Sequence, residues 1–520
     1  MNLLDRLIAW RDPVEGLRRA RARTALALVM NYNATTTGKR GSSWRRSASD
    51  ADAAAGRRNV LAFVARDMIR NTPFATRAQA VIVNNVVGDG IVWKIETEAK
   101  SKANLKRLRQ VLKQHLDSTA IDADGRQNLY GLQRLALNTV VESGEVLIRR
   151  RRRGLRDGLT VPLQLQVMEP DFIDTSRDGS VPGAGKDNTV REGIEYDPIG
   201  RRVAYWLFPE HPGSTKRLGP SYMSRRVPAA EILHIYRQDR PGQMRGVSWF
   251  APVALAMQDL MDAQDAHLMR QKIAACFAGF RVALEDERVG DPANKDADGE
   301  DNPGGLNTLV PGRIQTLRPG EDIRFSSPPG VEGFDAFTKM VLQSAASGLG
   351  ITYEALTGDL SNVNFSSGRM GRMEMDRNVS SWQWLMLVPQ MMQPVGRWVT
   401  EALTQVAQVQ VPRDLALAWV PPHRMMVDPS REITALRDKV KAGFASRQGV
   451  VRELGFDPED LTAEQIEDME VCRKTGLRFD SDVSFQSQFT GESADPDTGE
   501  TAGQGGGATD TDKEDDDVRK

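Results

Sequence analysis

The sequence predicts an α+β protein, mainly helical and built from several domains. Three observations carry this. Apolar side chains recur at helical spacing through most of the chain before Glu145 and again beyond residue 330. Between Glu145 and Arg237 the period drops to two, as in "VPLQLQVME", where Val161, Leu163, Leu165 and Val167 alternate with Gln164 and Gln166. A further run starting near Ser248 keeps helical spacing for about 30 residues, roughly 45 Å, which is long for a helix in a compact domain.

Taken in order, residues 1 to 30 predict an amphipathic helix. Its mixture of arginine and acids excludes a signal peptide. A polar loop follows, then helices over 51 to 70 and 73 to 87, the turn "VVGDG" and the strand "IVWKIE". "KANLKRLRQVLKQHLD" and "LYGLQRLALNTVVESG" are helical, and "EVLIRRRRR" and "VPLQLQVME" pair through "GLRDGL". Short strands continue to "EILHIYR", so helices lead into a mostly antiparallel sheet. In the long run after Ser248, Val253, Met257, Leu260, Met261, Gln264 and Leu268 share one side. A Gly, Pro and Asp-rich insert and the β-like "NTLVPGRIQTLRPGEDIRF" come next, followed by the helix "GFDAFTKMVLQSAASGLG". A nearly uncharged loop then opens a helix crowded with methionine, in which Pro389 and Pro394 predict kinks. The last helices are short. Asp428-Pro429 and Asp457-Pro458 set their starts, Gly443 and Gly455 their stops.

At 520 residues the chain is long enough for two to four domains. A mean hydropathy of -0.44 and the lack of any apolar run near 20 residues exclude a helical membrane span. Two distant cysteines, Cys276 and Cys472, exclude a disulfide framework and favour a reducing site of assembly. The net charge of -1 divides unevenly. Residues 1 to 70 carry 14 basic groups against 6 acids, and residues 491 to 520 carry 10 acids against 3 basic groups. That acidic tail lacks the apolar side chains to form a core and is predicted to be disordered, either solubilising a large assembly or mimicking nucleic acid.

Catalytic chemistry is hard to find. "GAGKD" at 183 to 187 fails as a phosphate loop, because Ser180 stands where a glycine is needed and Asp187 where a hydroxyl must hold magnesium. "GDGIVW" fails the dinucleotide pattern at Trp93. His115, His211, His234, His267 and His423 are scattered, and no serine elbow exists. Asp259, Asp262 and Asp265 form a stripe along one helix, which rarely supplies a closed metal shell. It is a solvated face or the lining of a negatively charged passage. "RRRRR" at 149 to 153 cannot form one patch on a strand, whose side chains alternate; it is a solvated strand end or a set of salt bridges to a neighbouring chain. Met370, Met373, Met375, Met386, Met391 and Met392 read as adaptable packing. No cofactor is expected.

Several co-linear stretches carry a resemblance: "NNVVGDGIVWKIE", "VMEPDFIDT", "GIEYDPIGRRVAYWLF", "VPAAEILHIYRQDRPGQMRGVSWFAPV", "GRIQTLRPGEDIRFSSP", "GLGITYEALTGDLSNVNFSSGRMGRMEM" and "VDPSREITALRDKVKAGFASRQGVVRELGFDPEDL". Over roughly residues 15 to 475 the chain resembles the lambda-type portal family of tailed bacteriophages. The resemblance implies a non-enzymatic head–tail connector, a ring of twelve copies at one capsid vertex whose channel passes double-stranded DNA during packaging and ejection. It implies partners in the terminase motor, the major capsid and scaffolding proteins and a head–tail adaptor, with assembly in the bacterial host cytoplasm and no membrane. By resemblance, 1–24 is an N-terminal helical arm, 25–247 the wing, 248–279 a stem helix, 280–330 the clip and 331–350 the returning stem helix. Residues 351–427 hold the tunnel loop, kinked helix and wing return, 428–476 the crown and 477–520 the disordered tail. The implied channel lining is Ser361, Asn362, Asn364, Phe365, Ser366 and Ser367 with Asp259, Asp262 and Asp265, and Pro389 and Pro394 are the hinge. Another structural capsid or head–tail joining protein is the alternative. A packaging ATPase or nuclease is opposed by the missing phosphate loop and metal cluster.

Overall fold

The computed structural model describes residues 51–52, 55–99, 101–215, 223–276, 280–283, 321–324, 333–406, 409–422, 426, 428–454, 456 and 458–476. The expected N-terminal arm, most of the 280–330 segment and the acidic tail lie outside these residues. The chain divides into two compact units, Met1–Pro422 and His423–Lys520.

In the first unit, α1 (Arg58–Asn71) buries Ala62, Ala65 and Met68, and α2 (Pro73–Val86) buries Ala75, Ala78, Ile82, Val83 and Val86. Pro73 starts α2 where its missing N–H costs nothing. β1 (Val92–Glu96) pairs antiparallel with a strand from far down the chain, β11 (Ala416–Val420), with Trp93 opposite Trp419. Next come α3 (Lys102–Leu116) and α4 (Leu129–Ser143), whose cap Asn128 accepts a hydrogen bond from Gly131 N at 2.9 Å.

β2 (Glu145–Arg152) is the centre of a three-stranded antiparallel sheet between β3 (Leu163–Met168) and β8 (Ile232–Tyr236). The short strands between them form a separate antiparallel sheet: β4 (Thr189–Arg191), β5 (Ile194–Tyr196), β6 (Arg202–Leu207) and β7 (Arg225–Pro228). A small second core, including Leu147, Ile194, Tyr205, Leu207 and Ile232, joins the two sheets. The glycine-rich "GAGKD" turn serves this sheet. Gly185 N and Asn188 Nδ2 donate to Glu195 Oε1, a carboxylate that also pairs with Arg226 and is held at about 2 by these bonds against the cost of its burial.

The arginine run finds its partners inside the chain. Arg150 is buried, bonds Glu401 at 2.6 Å and lies over the Trp398 ring, while Arg151 and Arg153 bond Gln166 and Gln164 across the hairpin. Arg152 is exposed and pairs with Glu231. Four of the five arginines of the run thus have partners within the chain.

The long helix is α5 (Ala254–Cys276), 23 residues and so about 35 Å. It starts six residues later than the apolar pattern predicts. Pro252 disfavours helical geometry in the residue before it, and Ser248 to Val253 form tight turns instead. Two short strands, β9 (Phe280–Ala283) and β10 (Glu321–Arg324), pair antiparallel within the 280–330 segment. α6 (Phe334–Leu349) returns along α5. Among the described residues no helix is long and apolar enough to cross a membrane.

In the second unit, α10 (Pro429–Lys441), α11 (Arg447–Glu453) and α12 (Pro458–Thr475) are consecutive. Asp428 and Ser446 cap the first two, which bury no residue. An ion pair between Lys439 and Glu453 at 3.3 Å links them.

Candidate functional site

The segment after α6 is built as a sequence of stops and caps. Gly350 ends α6 with φ +73°, and Thr352 caps the short α7 (Tyr353–Thr357), which Gly358 stops at φ +77°. Asp359 then folds the turn on itself, accepting from Ser361 N at 3.0 Å and Ser361 Oγ at 2.6 Å. These bonds hold its carboxyl below the usual range. Asn362 donates to Ser361 Oγ, at a long 3.4 Å.

The non-helical stretch is shorter than the sequence predicts. Asn364 is the N-cap of α8 (Phe365–Ser381), so Phe365, Ser366 and Ser367 form its first turn. Asn364 Oδ1 accepts from Ser367 N at 2.8 Å, and Ser367 Oγ accepts from Asn364 N at 3.1 Å. The reciprocal pair satisfies two backbone donors otherwise left open at a helix start. Asn-x-x-Ser was the available signal for this start. Ser361, Asn362, Asn364, Phe365, Ser366 and Ser367 are all exposed. Arg369 and Arg372 are exposed as well and lie on the Phe365 side of α8 at helical spacing, so the neutral rim borders two cations that the sequence reading passed over.

Behind this rim α8 runs into an 11-residue π-helical stretch, Trp382–Met392, and then α9 (Gln393–Leu403). Pro389 lies inside the wide turns and Pro394 in the first turn of α9. Proline removes one backbone donor and crowds the preceding turn, and a wider helical register accommodates both effects. Met375, Met386, Met391 and Met392 are buried, whereas Met370 and Met373 are exposed. The stretch is anchored at three points. Trp382 packs on Trp249 with centroids 4.9 Å apart, Gln383 donates to Val86 O at 2.8 Å, and Gln390 accepts from Tyr236 N at 3.0 Å.

Asp259, Asp262 and Asp265 are exposed on α5, with Asp262 accepting from Gln258. On the same helix Val253, Met257 and Leu260 are buried, but Leu255, Leu268 and Met269 are exposed. α6 likewise buries Leu342, Ala345, Ala346 and Leu349 and exposes Phe337 and Met340.

A buried carboxylate joins the sheet to the start of α5. Glu145, the first residue of β2, accepts from Arg245 Nε at 2.9 Å, His234 Nε2 at 2.9 Å and Gly246 N at 2.8 Å. Glu145 is held well below the usual carboxylate range: burial opposes this, but the Arg245 charge and the His234 bond outweigh it. Burial lowers His234 to about 4, so the ring is neutral at pH 7. The backbones meet here without side chains between them. A Cβ on Gly246 would lie 2.1 Å from Gly144 O, and one on Gly144 2.3 Å from Val247 C.

Among the described residues, one group brings three metal-type ligand atoms together: Glu169, Asp171 and His211, within 4.8 Å of one another. Arg66 already supplies a cation there, 2.5 Å from Asp171 and 3.3 Å from Glu169. Its guanidinium also donates to Ser143. The group is a structural ion-pair network that ties α1 to the sheet region.

This arrangement offers exposed polar turns, a wide-turn helix and an unfinished helix pair. Residues 37–383 match the family model described as phage portal protein, lambda family. The chain belongs to the lambda family of phage portal proteins. It is 25% identical over 471 residues to the probable portal protein of Halomonas phage phiHAP-1, covering 88% of this chain and 89% of the relative. It is 21% identical to the portal protein of Escherichia phage N15 over 79% and 84% of the two chains, and 20% identical to portal protein B of Escherichia phage lambda over 59% and 63%. Among solved structures, a chain from the neck of a native gene transfer agent particle computed with C12 symmetry is 15% identical, covers 78% of this chain and 95% of its own, and has a TM-score of 0.47. A HK97 family phage portal protein from Corynebacterium diphtheriae is 9% identical over 71% and 96%, with a TM-score of 0.30.

Proposed function

We propose that copies of this chain assemble as a ring, twelve by resemblance, at one vertex of a phage capsid. Double-stranded DNA passes through its channel during packaging and ejection. The protein acts as a structural connector, and a terminase motor supplies the ATP hydrolysis. Major capsid and scaffolding proteins meet it inside the head and an adaptor on the tail side, after assembly in the bacterial host cytoplasm. Residues 25–247 serve as wing, 248–279 and 331–350 as stem, 280–330 as clip and 428–476 as crown. The arm, 1–24, and the tail, 477–520, flank them.

The observation that carries this reading is the unfinished helix pair. α5 and α6 pack against each other and leave Leu268, Phe337 and Met340 in water. Apolar surface of this kind is stabilised by association, at about 25 cal/mol per Å² covered. The acidic stripe on α5 suits a channel wall that repels phosphate, and the exposed Ser and Asn groups at 361–367 suit weak, exchangeable contact with a moving backbone. The exposed Arg369 and Arg372 beside them add a salt-dependent attraction to phosphate. The pair Pro389 and Pro394 supplies the bending point that lets this segment shift. Electron micrographs of the purified chain test the reading: annular particles are expected, and monomer alone across a broad concentration range in native mass spectrometry refutes it.

A further inference from the structure

α3 (Lys102–Leu116) carries Lys102, Lys106, Arg107, Arg109 and Lys113 and no acidic side chain. Lys102, Lys106, Arg109 and Lys113 recur at i, i+4, i+7 and i+11, which at 3.6 residues per turn places them within roughly 60° of one another. All four are exposed, and they form one straight row about 16 Å long. Arg109 makes a further interaction of its own, as does Arg107. Among the described residues, no ion pair engages Lys102, Lys106 or Lys113.

The row is unfavourable for the helix that bears it. Cations three and four residues apart repel, and Lys102 stands in the first turn, where the helix end favours anions. No acid in that turn offsets it. The row is also firmly held. The opposite side of α3 buries Leu108, Val111, Leu112 and Leu116. His115 Nε2 donates to Leu163 O at 2.9 Å toward one end, and Asn104 Nδ2 donates to Gln410 O at 2.7 Å toward the other. A ligand with many negative charges relieves the repulsion and finds the cations already in line, so little order is lost on binding.

The rest of the face selects among polyanions. Apart from the charges, its exposed positions hold only Ala103, Gln110 and Gln114. A protein segment binds through buried apolar or aromatic anchors, and an anionic membrane takes up apolar side chains; the large apolar residues of α3 are in the core. Single strands stack on aromatic rings, and this helix has none to offer. Double-stranded DNA needs only cations at its backbone. It carries one charge per about 1.7 Å of axis, so the row lies along about ten phosphates. We infer that the Lys102–Lys106–Arg109–Lys113 row of α3 binds the phosphate backbone of duplex DNA, without regard to sequence, at a place apart from the channel. Gln110 and Gln114 add neutral donors to phosphate oxygens. The acidic stripe and polar turn proposed for moving DNA lack such a row, and cations this closely spaced hold a duplex still. A single copy displays the whole site, so it stands without the ring.

The test measures retention of covalently closed circular duplex by the full-length chain over a salt series. A closed circle has no end to thread, so its binding reads a site outside the channel. Each lysine engaged adds about 0.9 to the slope of log K against log salt. Lys102→Gln, Lys106→Gln and Lys113→Gln together are expected to make the slope shallower by about 2.7 for each copy engaged. From about 50 to 200 mM salt, the wild type then loses about 40-fold more affinity than the variant. Arginine at the same three positions is expected to keep the slope, and the Gln variant to melt no lower than wild type, since like charges have been removed. A wild-type chain that leaves closed circles unbound, or a Gln variant with the wild-type slope, overturns the inference. So does a slope lost in Arg369→Gln with Arg372→Gln instead, which moves the contact to the polar turn. Binding of a peptide of residues 491–520 without binding of circles makes the row an acidic-peptide site and overturns it too. Annular particles are scored separately: rings with no change of slope overturn this site alone, and a changed slope without rings overturns the ring reading alone.

Discussion

Replacing Glu145 by Gln removes one charge from the joint between the central sheet and α5 with almost no change of shape. The carboxylate and Arg245 are each only 2% exposed along the side chain, and Glu145 takes bonds from Arg245, His234 and Gly246. Gln supplies one oxygen where two accepted, and its NH₂ faces donors. Arg245 keeps a distant partner in Glu192, 3.7 Å away, so its charge is left largely uncompensated in the interior. Breaking a buried pair by removing one member costs about 3–5 kcal/mol, against a total stability of about 5–15 for a typical domain. For the roughly 310 described residues of the first unit unfolding together, the entropy of unfolding near 60 °C is about 0.65 kcal/mol per degree, so the melting temperature should fall by about 5–8 °C. The assay is tryptophan fluorescence during thermal and urea unfolding, compared with Arg245→Met and the double variant. A coupling energy above about 1.5 kcal/mol is expected between the two sites. A shift below about 1 °C, or additive effects, refutes the idea that charge pairing holds this joint.

The same joint should reject Gly144→Ala. The residue has φ +92° and a Cβ there meets the Val247 backbone, so a loss of more than about 2 kcal/mol or insoluble expression is expected in a urea titration. Acid should weaken the fold in a defined window. Burial lowers His115 and His234 to about 4 from an ordinary 6.5, so below pH 6.5 the unfolded chain binds protons that the folded chain does not. Stability therefore falls from pH 6.5 toward 4, by up to about 1.4 kcal/mol per pH unit for each ring. The depressed Glu145 and Glu195 continue the loss below the usual carboxylate range near 4.5. His115→Gln should flatten the upper part of a melting-temperature profile, and an unchanged slope counts against the assignment. At the polar turn, Asn362→Lys tests DNA contact without touching the helix cap, whereas Asn364→Lys also removes the cap, worth about 1 kcal/mol. Intact rings that package DNA more slowly, with the defect relieved by salt, are expected for Asn362→Lys; normal packaging by normal rings places the turn away from DNA.

The sequence alone determined those features that neighbouring residues decide among themselves. Alternation over Val161 to Val167 specified a strand, and the pattern holds over its first half, where Leu163 and Leu165 are buried and Gln164 and Gln166 half-buried; beyond it Val167 is half-buried and Met168 turns into the second core. Gly350 and Gly443 ended helices because only glycine adopts positive φ there without strain, and Asp428 started one by capping it. Co-linear segments were enough to show the family. The Asn364–Ser367 box was equally local and was legible, although the run of small polar residues reads first as loop. Tertiary structure decided whatever required segments distant in sequence to meet. β1 finds β11 more than 300 residues away, and Arg150 finds Glu401 across a comparable distance. Glu145 is a strand residue in sequence and becomes a buried counter-ion only when Arg245 and His234 arrive from two other segments. The start of α5 moved for a similar reason: its apolar period continues upstream, but Pro252 and the packing of Trp249 on Trp382 impose turns instead. Local pattern reports which backbone a segment prefers; the partner of a charge or of a strand edge is fixed by burial, which exists only once the chain has folded.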